Sequence, residues 1–84
     1  MVSSKRVAQW LQNHGYDVRE TLVEVLTSIT SSGRYTGSCM LVNGAMADEY
    51  VVELAQDDWY LKFWVDEGLV VVYVWTCCWD GTVH

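Results

Sequence analysis

The sequence holds no proline, a single phenylalanine, and only five lysines and arginines against eleven aspartates and glutamates. With no proline, no internal repeat and no linker-like stretch, nothing divides its 84 residues, and that length suits one hydrophobic core but not two. A single domain over residues 1–84 is therefore expected. Long apolar runs are missing too: residues 69–75 form the longest, far short of the roughly 20 needed to span a bilayer. Residues 1–6 lack the apolar stretch of a secretory leader. The three cysteines, Cys39, Cys77 and Cys78, are odd in number and show no C-x-x-C spacing. That excludes a disulfide framework and makes a reducing cytoplasm the expected compartment.

What is abundant is apolar and aromatic surface. Hydrophobic residues make up 51% of the chain, with five Trp and five Tyr, enough area to fold without disulfide or metal. The charge is uneven. From Asn43 onward stand Asp48, Glu49, Glu53, Asp57, Asp58, Asp66, Glu67 and Asp80 against Lys62 alone. Before it, Lys5, Arg6, Arg19 and Arg34 nearly balance Asp17, Glu20 and Glu24. A formal charge of −6 concentrated in the second half repels nucleic acid and anionic membrane and attracts basic proteins over about a Debye length.

Periodicity divides the chain near Gly33. Ser3 or Ser4 caps a first helix with Val7, Trp10 and Leu11 on one face, which Asn13, His14 and Gly15 stop. Asp17 and Glu20 resemble a capping box ahead of a second helix with Val18, Leu22, Val25, Leu26 and Ile29 on one side, ending at residues 31–33. Alternation then takes over. Strands are expected over residues 34–42, 49–54, 59–66 and 69–77, joined by a turn at Asn43-Gly44, a loop over residues 45–48, a turn at residues 56–58 and a turn at Glu67-Gly68. A helix over residues 45–55 is the competing assignment, against which Tyr50, Val51 and Val52 argue. The fold expected is α+β, two N-terminal helices packed on one face of a four-stranded antiparallel meander.

Strand parity sorts the side chains. With Glu67-Gly68 as the turn, Val65 opposes Val70, Phe63 opposes Val72 and Leu61 opposes Val74, an apolar side continued by Trp59, Tyr50, Val52 and Leu54. Two helices cover one face only. The other face then carries Tyr60, Trp64, Tyr73 and Trp75 with Lys62 among them, rimmed by Glu49, Glu53, Asp57, Asp58, Asp66 and Glu67. Exposed Trp and Tyr dominate binding hot spots, and surrounding carboxylates pair with a partner's Arg and Lys, so these residues form the candidate partner-binding set. Mutual packing across the strands, or burial in a homodimer, is the alternative.

Catalytic motifs are scarce. Asp57 with Asp58, or Glu53 with Asp66, are the only carboxylate pairs to consider as acid and base, and Tyr60 stands where a nuclease-like acid would precede Lys62. Cys77 or Cys78 with His84 lacks a positioned base or second ligand pair, and residues 31–37 lack the G-K-[S/T] ending of a phosphate loop. No catalytic residue, cofactor or metal is assigned.

Taken together, the size, the acidic second half and the aromatic interleaving of Asp57-Asp58-Trp59-Tyr60-Leu61-Lys62-Phe63-Trp64-Val65-Asp66-Glu67 resemble small phage-encoded inhibitors of the anti-CRISPR type. The likeness spans the chain as a profile and carries no signature motif. It implies a non-enzymatic, cytoplasmic inhibitor in an infected or host bacterial cell. Such a protein occludes a basic Cas effector surface, with carboxylates standing in for DNA phosphates. It would bind no nucleic acid itself and exist as a monomer or weak homodimer. An immunity protein or antitoxin against a basic toxin, and a homo-oligomeric accessory protein, are the alternatives.

Overall fold

The computed structural model describes residues 1–68 and 71–81. Val70, expected opposite Val65, and Leu69 at the start of the last strand lie outside these residues, as does His84. The described chain is α+β, with a short strand β1 (Val2–Ser3), helices α1 (Lys5–Asn13) and α2 (Val18–Ser32), then strands β2 (Gly33–Met40), β3 (Met46–Leu54), β4 (Asp57–Asp66) and β5 (Val71–Trp79).

Both helices begin as their caps dictate. The Ser4 hydroxyl accepts from the Val7 N–H at 3.2 Å, and the Asp17 carboxylate from the Glu20 N–H at 2.9 Å. Helix α1 ends where the His14 N–H returns to Trp10 and Leu11 and Gly15 takes a φ of 81°.

The sheet has five strands in the order β1-β5-β4-β3-β2, antiparallel except for β1, which runs parallel to β5. This corrects the expected four-stranded antiparallel meander. Two residues of β-geometry are too few for periodicity to reveal, and β1 is held by tertiary bonds: Ser4 N–H donates to the Val74 carbonyl at 3.1 Å and the Ser4 hydroxyl to the Trp75 carbonyl at 3.1 Å.

The hairpins differ from expectation in register. The β3–β4 turn is Ala55-Gln56, with Leu54 opposite Asp57, so Asp57 and Asp58 are strand residues rather than turn residues. Ala55 and Gln56 both adopt positive φ, 54° and 70°, the conformation a two-residue hairpin demands and Asn-Gly normally supplies, so the sequence carried no signal for it. Strand β3 starts at Met46, absorbing most of the expected 45–48 loop, and β2 stops at Met40, before the Asn43-Gly44 turn. Across β4–β5, Val65 opposes Val72, Phe63 opposes Val74 and Leu61 opposes Cys77. The first two pairs are displaced by two residues from those expected. A slip of two conserves the faces.

A bulge then inserts Trp75 between Val74 and Thr76. It reverses parity for the rest of β5, turning Cys77 and Trp79 to the helices and Thr76 and Cys78 away. The core lies between helices and sheet: Val7, Leu11, Leu22 and Val25 meet Val52, Trp59, Leu61, Val74 and Cys77. At one end Trp79 sits edge-on to Trp10 at 5.1 Å, with Trp59 6.0 Å from Trp10 and His14 stacked on Trp10 at 4.0 Å.

Candidate functional site

Because α1 packs on β5 and α2 on β3 and β2, all helical cover lies on one side of the sheet. The bare side carries Arg34, Glu49, Val51, Glu53, Asp58, Tyr60, Lys62, Trp64, Asp66, Val71, Tyr73, Thr76 and Cys78, placed there by the register. Ala47, Val51, Thr76 and Cys78 are nonetheless buried.

Three zones follow along the strands. At the β3–β4 turn, Glu53 stands directly opposite Asp58, and the Asp80 N–H donates to the Asp58 carbonyl at 2.8 Å, so a third acidic residue neighbours the pair through its backbone. Arg34, Ser32, Val51, Glu53 and Asp58 line a depression of about 270 Å³ here. Among the described residues no ion pair joins Arg34 to either carboxylate. Like charges placed opposite on adjacent strands repel, so this end is poised to gain from a cation.

In the middle, the Tyr60 hydroxyl donates to Glu49 Oε1 at 2.5 Å and Lys62 Nζ lies 3.4 Å from the same oxygen. Burial, reinforced by the hydrogen bond to Glu49, pushes the Tyr60 phenol well above its ordinary range. Glu49 and Lys62 are committed to each other in this triad, and Lys62 does not oppose an incoming positive surface as a lone charge would.

At the far end, Trp64 stacks on Tyr73 at 4.4 Å with ring planes 10° apart. Trp75, pushed outward by the bulge, is 36% exposed. With Val2, Ser3, Ser4, Asn43 and Val74 these rings line an open groove of about 370 Å³. Asp66, opposite Val71, and Glu67 in the following turn lie beyond Trp64.

Nine of the ten expected site residues are therefore on this face or its rim, but not as one mixed ring. Glu53 and Asp58 lie at the β3–β4 turn, Glu49 and Tyr60 in the middle, and the rings of Trp64, Tyr73 and Trp75 at the far end with Asp66 and Glu67 beyond them. Asp57 is the exception: alternation turns it to the helix side, where it is exposed at the sheet's end. Asp57 and Asp58 thus point to opposite faces, and Glu53, opposite Asp58, is about 26 Å along the strand from Asp66 at 3.3 Å per residue, so neither carboxylate pair converges. Cys77 and Cys78 are buried free thiols; burial, with Cys78 beside it, pushes Cys77 up to about 12. No cluster of three metal-ligating side chains occurs among the described residues. Nor is any helix there long and apolar enough to cross a membrane.

Residues overlooked in the sequence were Asp80, Val2, Ser3 and Arg6, whose guanidinium donates to the Thr76 hydroxyl at 3.1 Å. All reach the face through the turn after β5 or across the β5 edge, contacts with no local pattern.

Comparison with family models, with curated proteins and with solved structures returned no match. The face is accordingly interpreted from its own geometry.

Proposed function

We propose that this protein is a binding module that docks the bare face of its sheet on a basic protein surface and blocks it. In its specific form it is an anti-CRISPR-like inhibitor whose carboxylates occupy the positions of DNA phosphates on a Cas effector subunit. The observation that carries this reading is the layout of the face: at one end Glu53, Asp58 and Asp80 outnumber the single cation Arg34, and at the other stand the rings of Trp64, Tyr73 and Trp75 with Asp66 and Glu67 beyond them. Charges at one end steer and orient a cationic partner, while rings at the other contribute desolvated contact. The internal neutralisation of Lys62 by Glu49 leaves the net field negative.

The test is capture from bacterial lysate with the wild-type chain and a Glu53→Lys, Asp58→Lys, Asp80→Lys variant. A basic nucleic-acid-binding protein retained by the wild type, released at high salt, displaced by DNA and lost in the variant is the expected result. Retention unchanged by the three reversals overturns the electrostatic docking mode.

A second reading, self-association, draws on the opposite face. Strand β4 has ten residues, about 33 Å, whereas α1 and α2 have nine and fifteen, about 14 and 22 Å. Beyond the helices Tyr35, Met40, Met46 and Val65 remain 59%, 71%, 55% and 47% exposed. A dimer in native mass measurements that Met40→Glu dissociates would favour this reading over the first.

A further inference from the structure

We infer that the groove at the β1–β5 corner receives an arginine side chain of the basic partner; this rests on the docking reading above and names the contact at its aromatic end. The walls are ring faces. Trp64 and Tyr73 stack on each other and remain partly exposed, and the bulge delivers Trp75 to the same groove. Two polar atoms at the rim are engaged within the chain: Asn43 Oδ1 accepts from the Ala45 N–H at 3.0 Å, and the Ser4 hydroxyl both caps α1 and donates to the Trp75 carbonyl. The rings of Trp64, Tyr73 and Trp75 supply most of the apolar wall, and selection falls chiefly to their π-faces.

Charge decides the occupant. The chain carries −6, no Lys or Arg lines the groove, and Asp66 and Glu67 follow Trp64 along the chain. Lys62 is paired with Glu49, Arg6 is bonded to Thr76 and Arg34 lines the depression beside Glu53 and Asp58, so none of the cations on this face lines the groove. A guanidinium is planar, weakly hydrated and stacks on indole, whereas an ammonium is compact, strongly hydrated and better served by carboxylates such as Glu53 and Asp58. Arginine at the rings and lysine at the acids is the division this face is built to make.

The experiment compares two synthetic peptides of equal length and charge, Arg-Gly-Gly repeats and Lys-Gly-Gly repeats, by titration against the full chain. Affinity is measured together with the indole N–H signals of Trp64 and Trp75 in heteronuclear spectra. The arginine peptide is expected to bind about twofold to thirtyfold tighter, the range cation–π contacts give, and to shift both indole signals. Trp75→Leu, at an exposed position, should abolish the preference, and Trp75→Tyr should keep it.

Equal affinities with unmoved indoles overturn the arginine site while leaving the docking reading intact, provided both peptides bind in a salt-dependent way that the Glu53, Asp58 and Asp80 reversals abolish. Binding of neither peptide overturns both. Preference retained in Trp75→Leu, or tighter binding of a Leu-Gly-Gly peptide, overturns the inference by showing that the groove does not select the guanidinium.

Discussion

Ala55 and Gln56 are held in a conformation that L-residues with a side chain resist. Each sits at positive φ in the two-residue turn between β3 and β4, where a left-handed backbone costs roughly 1–2 kcal/mol for a residue with a Cβ. The strand pairs on either side, Leu54 with Asp57 and Glu53 with Asp58, hold the turn in place. Replacing Ala55 with Asn and Gln56 with Gly supplies the residues that adopt this turn without strain. The double variant should gain about 1–2 kcal/mol in urea denaturation, with an unchanged denaturant slope. A loss of stability would show that another turn geometry is in place.

At the scale of elements, Ser4 joins three of them. Its hydroxyl caps α1, its hydroxyl also reaches the Trp75 carbonyl and its N–H holds the Val74 carbonyl, so one residue fixes β1, α1 and the bulged region of β5. Asp17 does the simpler task of capping α2 through the Glu20 N–H. Asp17→Ala should cost about 1 kcal/mol, as a lost cap does. Ser4→Ala loses the cap and the strand contact together and should cost about 2 kcal/mol. Amide exchange should also accelerate selectively at Val2 to Ser4 and near Trp75. Equal costs for the two variants, with no local change in exchange, would mean that the Ser4 latch contributes nothing.

For the whole molecule, the coupling of fold to pH runs on the alkaline side. Cys77 titrates ordinarily at 9.0 and is pushed up to about 12 by burial and by neighbouring Cys78; Tyr60 is raised in the same direction by burial and Glu49. In both cases the folded state keeps a proton that the unfolded chain releases. The contribution is therefore complete below pH 9 and falls away as pH rises toward 12. Three pH units at about 1.4 kcal/mol each set the Cys77 share at about 4 kcal/mol, a large part of a small domain's stability. Urea midpoints should be level from pH 7 to 9 and then fall steeply. In Cys77→Ala the plateau should be lower, from the lost side chain, and the fall shallower; an unchanged slope would exclude Cys77 as its source.

Much of this was legible along the chain. Asp17, and the Ser3-Ser4 pair of which Ser4 is the cap, declared their helices, because a cap and an apolar stripe are local features. The two-residue period of residues 59–66 assigned Tyr60, Lys62, Trp64 and Asp66 to one face, and that assignment survived a register displaced by two, since the period is itself two. Composition likewise placed the negative charge in the second half. What no local pattern carried was decided by tertiary contact. Hydrogen bonds from Ser4 recruited Val2 and Ser3 as a parallel strand, and the Ala55-Gln56 turn moved Asp57 off the bare face. The bulge at Trp75 let both Val74 and Trp79 face the helices, and with them the aromatic cluster around Trp10. The distance of Glu53 and Asp58 from the Trp64, Tyr73 and Trp75 rings follows from register, turn length and bulge acting together, quantities set by packing energy across the whole sheet rather than by any residue's own preference.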